Sequence, residues 1–168
     1  NETGLPTGSF KVRGAIHALK AACASGTITE VVAASTGNHG AAVAYAGTLL
    51  GVPARIFLPQ HSNPVKAGRI RELGAVLVET GRDLTDAIDA AEEYAVSAGA
   101  FFLHDASSPE VPTGAATIGA EILEDVPSPA SDTERVVDAR LRGPHSGFLI
   151  WEDDSPLSLA GWGSPTPI

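Results

Sequence analysis

Two short segments contain the residue types that could do covalent chemistry. The first reads PTGSFKVRGA at residues 6–15 and places Lys11 between a glycine-serine turn and an apolar helical run. Partial burial disfavours a charged ammonium and favours the neutral amine, the form that attacks a carbonyl carbon. A lone lysine at a helix start is more often an ordinary solvated residue. The interpretation therefore depends on the second segment, which reads STGNHG at residues 35–40.

Together the two segments resemble the fold-type II enzymes that use pyridoxal 5′-phosphate, in particular the threonine/serine dehydratase and serine racemase group. The resemblance covers about residues 7–126 and implies that Lys11 forms the Schiff base with this cofactor. It also implies that Phe10 packs near the pyridine ring and that Asn38 contacts the 3′ oxygen of the cofactor. The loop that would bind the substrate carboxylate consists of Ser35, Thr36, Gly37, Asn38 and His39, with His39 acting through its backbone amide.

The residue types at two positions narrow the set of reactions that the resemblance implies. Relatives that replace a substituent on the substrate usually have Asp after the lysine and Thr after the asparagine, whereas this chain has Val12 and His39. Both match the dehydratases, which release a 2-oxo acid and ammonia from a β-hydroxy amino acid such as threonine or serine. Racemases of the group have serine where this chain has Thr36. Because threonine keeps a hydroxyl, a serine/threonine racemase is an alternative.

The hydrophobic pattern predicts the elements that position these segments. Short apolar runs at residues 31–34, 54–58, 75–78 and 100–103 are typical of buried strands. They alternate with helical patterns at residues 10–24, 41–50, 64–73, 84–98 and 113–123. This alternation predicts an α/β fold in three layers, a parallel sheet with helices on both faces. The resemblance implies part of the tryptophan-synthase-β-like fold. Ligands bind at the carboxyl ends of such strands, where residues 35–39 lie.

The composition excludes several partner classes. A net charge of −9 over 168 residues argues against nucleic acid or an anionic membrane surface as the main partner. No apolar run approaches the length of a transmembrane helix. The single cysteine, Cys23, fits a reducing cytoplasm. The histidines show no metal-ligand spacing, so we expect no metal. A small amino-acid substrate is the expected partner, and a homo-oligomer is possible.

The two parts of the chain differ in character. Residues 1–126 are expected to form a partial catalytic domain, mostly the small domain of the family, and the Pro/Gly/Ser-rich residues 127–168 an irregular tail. Relatives continue with a glycine-rich loop that cradles the cofactor phosphate, and residues 127–168 lack its successive glycines. We therefore expect a truncated copy with little activity. The alternative from another class is an inactive remnant or an interaction piece.

Overall fold

The computed structural model describes residues 1–125 and two short segments at 148–150 and 158–160. The chain divides into two compact units, Asn1–Gly114 and Ala115–Ile168. In chain order the first unit contains α1 (Lys11–Ser25), β1 (Val31–Ala34), α2 (Asn38–Leu50), β2 (Ala54–Leu58), α3 (Pro64–Glu72), β3 (Val76–Glu79), α4 (Leu84–Ala98) and β4 (Phe101–Phe102). The helix α5 (Glu110–Ala115) ends where the units meet, and α6 (Thr117–Asp125) belongs to the second unit.

The four strands of the first unit form one parallel sheet in the order β3-β2-β1-β4. Val31 of β1 is in register with Ala54 of β2 on one side and with Phe101 of β4 on the other. Parallel neighbours need a crossover segment between them, and the helices α2, α3 and α4 supply these crossovers. The predicted α/β architecture is thereby confirmed.

The two faces of the sheet are covered by different helices. On one face α1, α2 and α3 pack over alternate residues of the central strands. That core contains Leu19, Val31, Ala33, Val43, Ile56, Leu58 and Ile70. On the other face α4 covers the residues that point the opposite way. This second core contains Val32, Phe57, Ala87, Ala91 and Ala95. Successive strand residues alternate between the two cores, as the pleat requires, and the three-layer arrangement is that predicted from the sequence.

Several element boundaries differ from the sequence-based prediction. The helix α2 begins at Asn38 instead of residue 41, so its first turn includes two residues of the predicted substrate loop. It begins early because the connection is short: Gly37 is already the N-cap residue, and its N–H donates to the hydroxyl of Ser35 at 3.2 Å. It ends at Gly51, whose φ of 69° places it in the left-handed region that favours glycine. The helix predicted at 113–123 is two helices, α5 and α6.

The helices α1 and α5 approach each other unusually closely through glycine. A Cβ added at Gly14 would lie 2.6 Å from the carbonyl oxygen of Val111, and one added at Gly114 would lie 2.6 Å from the carbonyl oxygen of Arg13. Contacts this short do not occur for real side chains, so only glycine allows the two backbones to meet. This contact fixes α1, the helix that begins with Lys11, against the segment that follows β4.

The second unit contains a short antiparallel pair, β5 (Phe148–Ile150) with β6 (Ser158–Ala160). No strand is predicted from the sequence of residues 127–168. The rest of the predicted tail lies outside the described residues, so its irregular character stays a prediction. The expected division into a catalytic part at residues 1–126 and a tail at residues 127–168 stays a prediction. Among the described residues, no helix combines the length and apolarity needed to cross a membrane.

Candidate active site

A tight turn presents Lys11 at the start of α1. Gly8 adopts a φ of 69°, a conformation that residues with a side chain rarely adopt. The hydroxyl of the buried Ser9 accepts a hydrogen bond from the backbone N–H of Lys11 at 3.3 Å. The hydroxyl of Thr7 donates to the carbonyl of Ser9 at 3.3 Å. These bonds satisfy backbone groups at the helix start and fix the direction in which Lys11 leaves it.

Two arginines anchor the segment before Lys11. Arg69 of α3 donates to the carbonyl of Pro6 at 3.0 Å. Arg13 of α1 makes a two-pronged ion pair with Glu2, with nitrogen–oxygen distances of 2.8 and 3.1 Å. A bidentate arginine–carboxylate pair restricts both partners more than a single contact does. The turn that carries Lys11 is therefore held from α3 and from α1.

The amine of Lys11 lies near one carboxylate and one aromatic ring. Its Nζ lies 3.2 Å from Oδ2 of Asp105, in the turn after β4, and the Lys11 side chain is 23% exposed. The same Nζ lies 5.8 Å from the ring centroid of Phe10, within the range of a cation–π contact. The predicted partial burial of Lys11 is thus seen together with an ion pair that the sequence pattern does not indicate.

The loop at residues 35–39 connects β1 to α2. The backbone N–H of Ser35 donates to the carbonyl of Phe57 at 3.0 Å and extends the sheet by one bond. The hydroxyl of Ser35 then accepts from the N–H of Gly37 at 3.2 Å. The first N–H groups of α2 lack acceptors within the helix, and such groups at a helix start suit an anion. A Cβ added at Gly37 would lie 4.0 Å from Nζ of Lys66, so an ammonium group also stands near this loop.

The side chain of His39 joins the first turn of α2 to the end of β4. It is buried, with an exposure of 4%, and its Nε2 lies 3.0 Å from the carbonyl oxygen of Leu103. Burial lowers the pKa of the imidazole. A carbonyl oxygen only accepts, so the neutral ring carries its proton on Nε2 and leaves Nδ1 as an acceptor. Nδ1 is buried and has no hydrogen-bond partner among the described residues.

Lys11, His39 and Asp105 influence one another's charge. Burial alone would raise the pKa of the Asp105 carboxyl, but electrostatic interactions with the His39 ring and with the charge of Lys11, and the hydrogen bond from Lys11, hold that pKa below its ordinary value. The charge of Lys11 also contributes to the lowered pKa of His39. The first turn of α2, the start of α1 and the end of β4 therefore converge at one edge of the sheet.

The structure brings some of the predicted site residues together and leaves others as predictions. Phe10 lies beside Lys11, and His39 is within electrostatic range of it. Thr36 and Asn38 are exposed on the loop, accessible to a ligand. The predicted contact of Asn38 with the 3′ oxygen of the cofactor bound to Lys11 stays a prediction. Asp105 was missed, although its position just after a strand at the ligand-binding edge is the kind of signal that could have found it.

The buried His39 predicts a pH-dependent stability. Because the pKa of His39 is lowered in the folded chain from the ordinary 6.5, the unfolded chain binds more protons just below pH 6.5. Stability is then fully present above pH 6.5 and falls as the pH drops, by up to about 1.4 kcal/mol per pH unit from this residue. Urea unfolding from pH 7 to about pH 5 measures the slope.

The matched variant for this measurement is His39→Gln, which keeps a donor for the Leu103 carbonyl and does not titrate. Its unfolding free energy is expected to depend less steeply on pH than that of the wild type in the same range. Equal slopes in the two proteins would show that the imidazole of His39 does not remain neutral on folding.

Among the described residues, no cluster of three or more His, Cys, Asp or Glu side chains could hold a metal ion. The groups present suit a different ligand. An accessible lysine amine suits a carbonyl group, and the adjacent loop with its helix start suits a carboxylate.

Comparison with known proteins agrees with this chemistry. A family model described as pyridoxal-phosphate dependent enzyme matches residues 1–139. The L-threonine ammonia-lyase of Geobacter sulfurreducens is 38% identical over 125 residues, which make up 74% of this chain and 31% of that protein. The L-threonine ammonia-lyase of Thermotoga maritima is 40% identical over 131 residues, 78% of this chain and 32% of that protein. The chain thus spans about a third of the length of these relatives.

Solved structures show the same fold. The processed form of threonine deaminase isoform 2 from Solanum lycopersicum superimposes with a TM-score of 0.70 at 31% identity, covering 74% of this chain and 36% of that one. A pyridoxal 5′-phosphate-dependent aspartate racemase gives a TM-score of 0.73 at 28% identity, covering 84% of this chain and 46% of that one. With its parallel sheet, its lysine at the strand ends and the match over residues 1–139, the chain belongs to the family of pyridoxal-phosphate dependent enzymes.

Proposed function

We propose that this chain carries the lysine-bearing part of a pyridoxal-phosphate dependent ammonia-lyase that converts threonine, serine or a close analogue into a 2-oxo acid and ammonia. The observation that carries the proposal is the partly exposed amine of Lys11, 3.2 Å from Asp105 in the turn after β4. The loop at residues 35–39 follows β1, which runs parallel to β4, so both lie at the carboxyl edge of the sheet. Relatives named L-threonine ammonia-lyase support the choice of reaction.

Each predicted site residue is given the role that the family resemblance implies. Lys11 would hold the cofactor through Nζ, and once the amino group of the substrate had displaced it, the free Nζ amine would accept the proton from Cα of the substrate. Phe10 would pack beside the pyridine ring, and the side chain of Asn38 would contact the 3′ oxygen. When bound, the cofactor supplies an electron sink that stabilises negative charge at Cα.

The loop of Ser35, Thr36, Gly37, Asn38 and His39 binds the carboxylate of the amino acid. The N–H groups at the start of α2 serve as donors, with His39 contributing its amide while its ring stays bonded to Leu103. Orientation by this loop would hold the Cα–H bond of the substrate within reach of Nζ of Lys11. The Lys66 ammonium near Gly37 adds positive charge that favours the same carboxylate.

Racemisation is the second candidate, and one observation favours it. The side chain of Thr36 is exposed on the loop, where its hydroxyl could deliver a proton to the face of Cα opposite Lys11. The added methyl group relative to serine argues that this path is the slower one. An inactive remnant is the remaining alternative.

Exchange of the Cα hydrogen tests the proposal more sensitively than turnover does. The chain is incubated with pyridoxal 5′-phosphate and threonine or serine in D₂O, while NMR follows deuterium at Cα, an oxo-acid assay follows deamination and chiral chromatography follows racemisation. We expect exchange and 2-oxo acid above the rates of cofactor alone, and both rates at the cofactor-alone level for Lys11→Ala. If the wild-type chain exchanges the Cα hydrogen no faster than the cofactor alone does, the result contradicts the proposal and favours an inactive remnant.

The affinity for the cofactor is expected to be low. Charge-assisted hydrogen bonds contribute about 1.5–3 kcal/mol each, and the phosphate of this cofactor usually receives several from a glycine-rich loop. Residues 1–125 contain no run of successive glycines of that kind. An absorbance titration with pyridoxal 5′-phosphate measures the affinity, and tight stoichiometric binding would contradict this expectation.

We also propose that the protein works in the cytoplasm and as a homo-oligomer. The thiol of Cys23 is free and exposed, which suits a reducing compartment. Size-exclusion chromatography with light scattering tests the oligomer, and a monomer at all accessible concentrations would contradict it.

A further inference from the structure

The amine of Lys11 donates a hydrogen bond to the carboxylate of Asp105 at 3.2 Å. We propose that Asp105 is a positioning residue that holds Nζ of Lys11 at the end of β4 and restrains it until a carbonyl ligand engages it. The proposal rests on the role proposed above for Lys11 and adds a second residue to the same site.

The backbone around Asp105 is fixed on both sides. The N–H of Leu103 donates to the carbonyl of Val32 in β1 at 2.8 Å, which holds the end of β4 to the sheet. The ring of His104 then accepts through Nδ1 from the N–H groups of Ala106 and Ser107 at 3.0 and 3.3 Å. The turn that carries Asp105 is therefore closed by hydrogen bonds on its own residues, and its backbone is held independently of Lys11.

The bond from His39 to Leu103 connects this turn to the loop at residues 35–39. Lys11 of α1 makes an ion pair with Asp105. The side chain of His39 in α2 also interacts electrostatically with Asp105 and helps to lower the pKa of its carboxyl. The carboxylate thus stands where the two predicted segments of the site meet. A lysine side chain has several rotatable bonds, and a fixed counter-charge here selects the rotamers that keep Nζ at this edge.

The negative charge of Asp105 allows it to restrain the Lys11 side chain. Because neighbouring charges and the hydrogen bond from Lys11 outweigh its burial, Asp105 remains a carboxylate at neutral pH. It can therefore hold an ammonium but does not serve as an acid. Before Nζ attacks a carbonyl carbon, its ammonium must leave Asp105 and give one proton to solvent, which frees the lone pair for the new bond.

Competitive labelling of the cofactor-free chain tests the restraint without requiring any cofactor chemistry. A trace of acetic anhydride acetylates lysine amines, and mass spectrometry gives the ratio of acetylation at Lys11 to that at Lys20, an exposed lysine of the same helix. Asp105→Asn is expected to raise this ratio about two- to fivefold, the size of effect for a partly exposed ion pair. Asp105→Glu should return it toward the wild-type value, and Asp89→Asn, which removes an exposed carboxylate of α4, should leave it unchanged.

A second measurement needs no variant. Raising the salt concentration screens a partly exposed ion pair, so the Lys11 to Lys20 ratio of the wild type should rise. An unchanged or lower ratio in Asp105→Asn overturns the proposal, as does a ratio in Asp105→Glu equal to that in Asp105→Asn. Failure of cofactor addition to Lys11 would instead overturn the proposed function, because the labelling ratio is measured without cofactor.

Discussion

Replacing Lys11 by alanine is expected to abolish the long-wavelength absorbance band that forms when pyridoxal 5′-phosphate is added to the chain. The band reports an imine between the cofactor and a protein amine, and the site offers Lys11 as that amine at the carboxyl edge of the sheet. An absorbance titration at equal protein concentration measures the loss. The expected effect is complete at concentrations where surface lysines do not yet react.

Lys20→Ala is the matched control, since it removes an amine from the exposed side of the same helix. It should leave the band and its midpoint unchanged. A band of wild-type size in Lys11→Ala would show that the cofactor binds elsewhere on the chain.

The largest expected effect on stability comes from Gly14→Ala. The added methyl group would lie 2.6 Å from the carbonyl oxygen of Val111, so α1 and α5 must separate. Overpacking of this kind costs about 1–3 kcal/mol of unfolding free energy, more than the gain from replacing a helical glycine. Urea unfolding followed by circular dichroism measures the difference.

Gly68→Ala provides the opposite case within the same fold. A Cβ at Gly68, inside α3, meets nothing within 4 Å. Alanine should therefore stabilise the chain by about 0.5–1 kcal/mol through helix propensity alone. If Gly14→Ala stabilised the chain as much as Gly68→Ala does, the close contact of α1 with α5 would be wrong.

Much of the fold could be predicted because the local signals agree with the global arrangement. The central strands are buried on both faces and read as short apolar runs, and glycine ends the helices before β2 and β4. The start of α2 was harder, because Ser35 and Gly37 together form a turn whose hydrogen bond is not visible in a hydrophobic pattern. The break between α5 and α6 likewise left no periodic signal.

The site, like the fold, contains features that the sequence predicts and features that it does not. Lys11 and the loop at residues 35–39 could be identified from their motifs, and the parallel topology predicted that the loop would lie at the ligand-binding edge. The ion pair of Lys11 with Asp105 could not be identified from the sequence, since 94 positions separate the two residues. The same holds for the bond from His39 to Leu103, 64 positions apart. Contacts of this kind follow from packing and not from the local sequence.

The identity of the lysine that binds pyridoxal 5′-phosphate is the most direct test of the account. The wild-type chain is incubated with the cofactor, reduced with borohydride, digested and mapped by mass spectrometry. The account predicts that the reduced cofactor is found on the peptide containing Lys11, with only background labelling at Lys20 and Lys66. Equal labelling of the three lysines, or preferential labelling of Lys20 or Lys66, would contradict it.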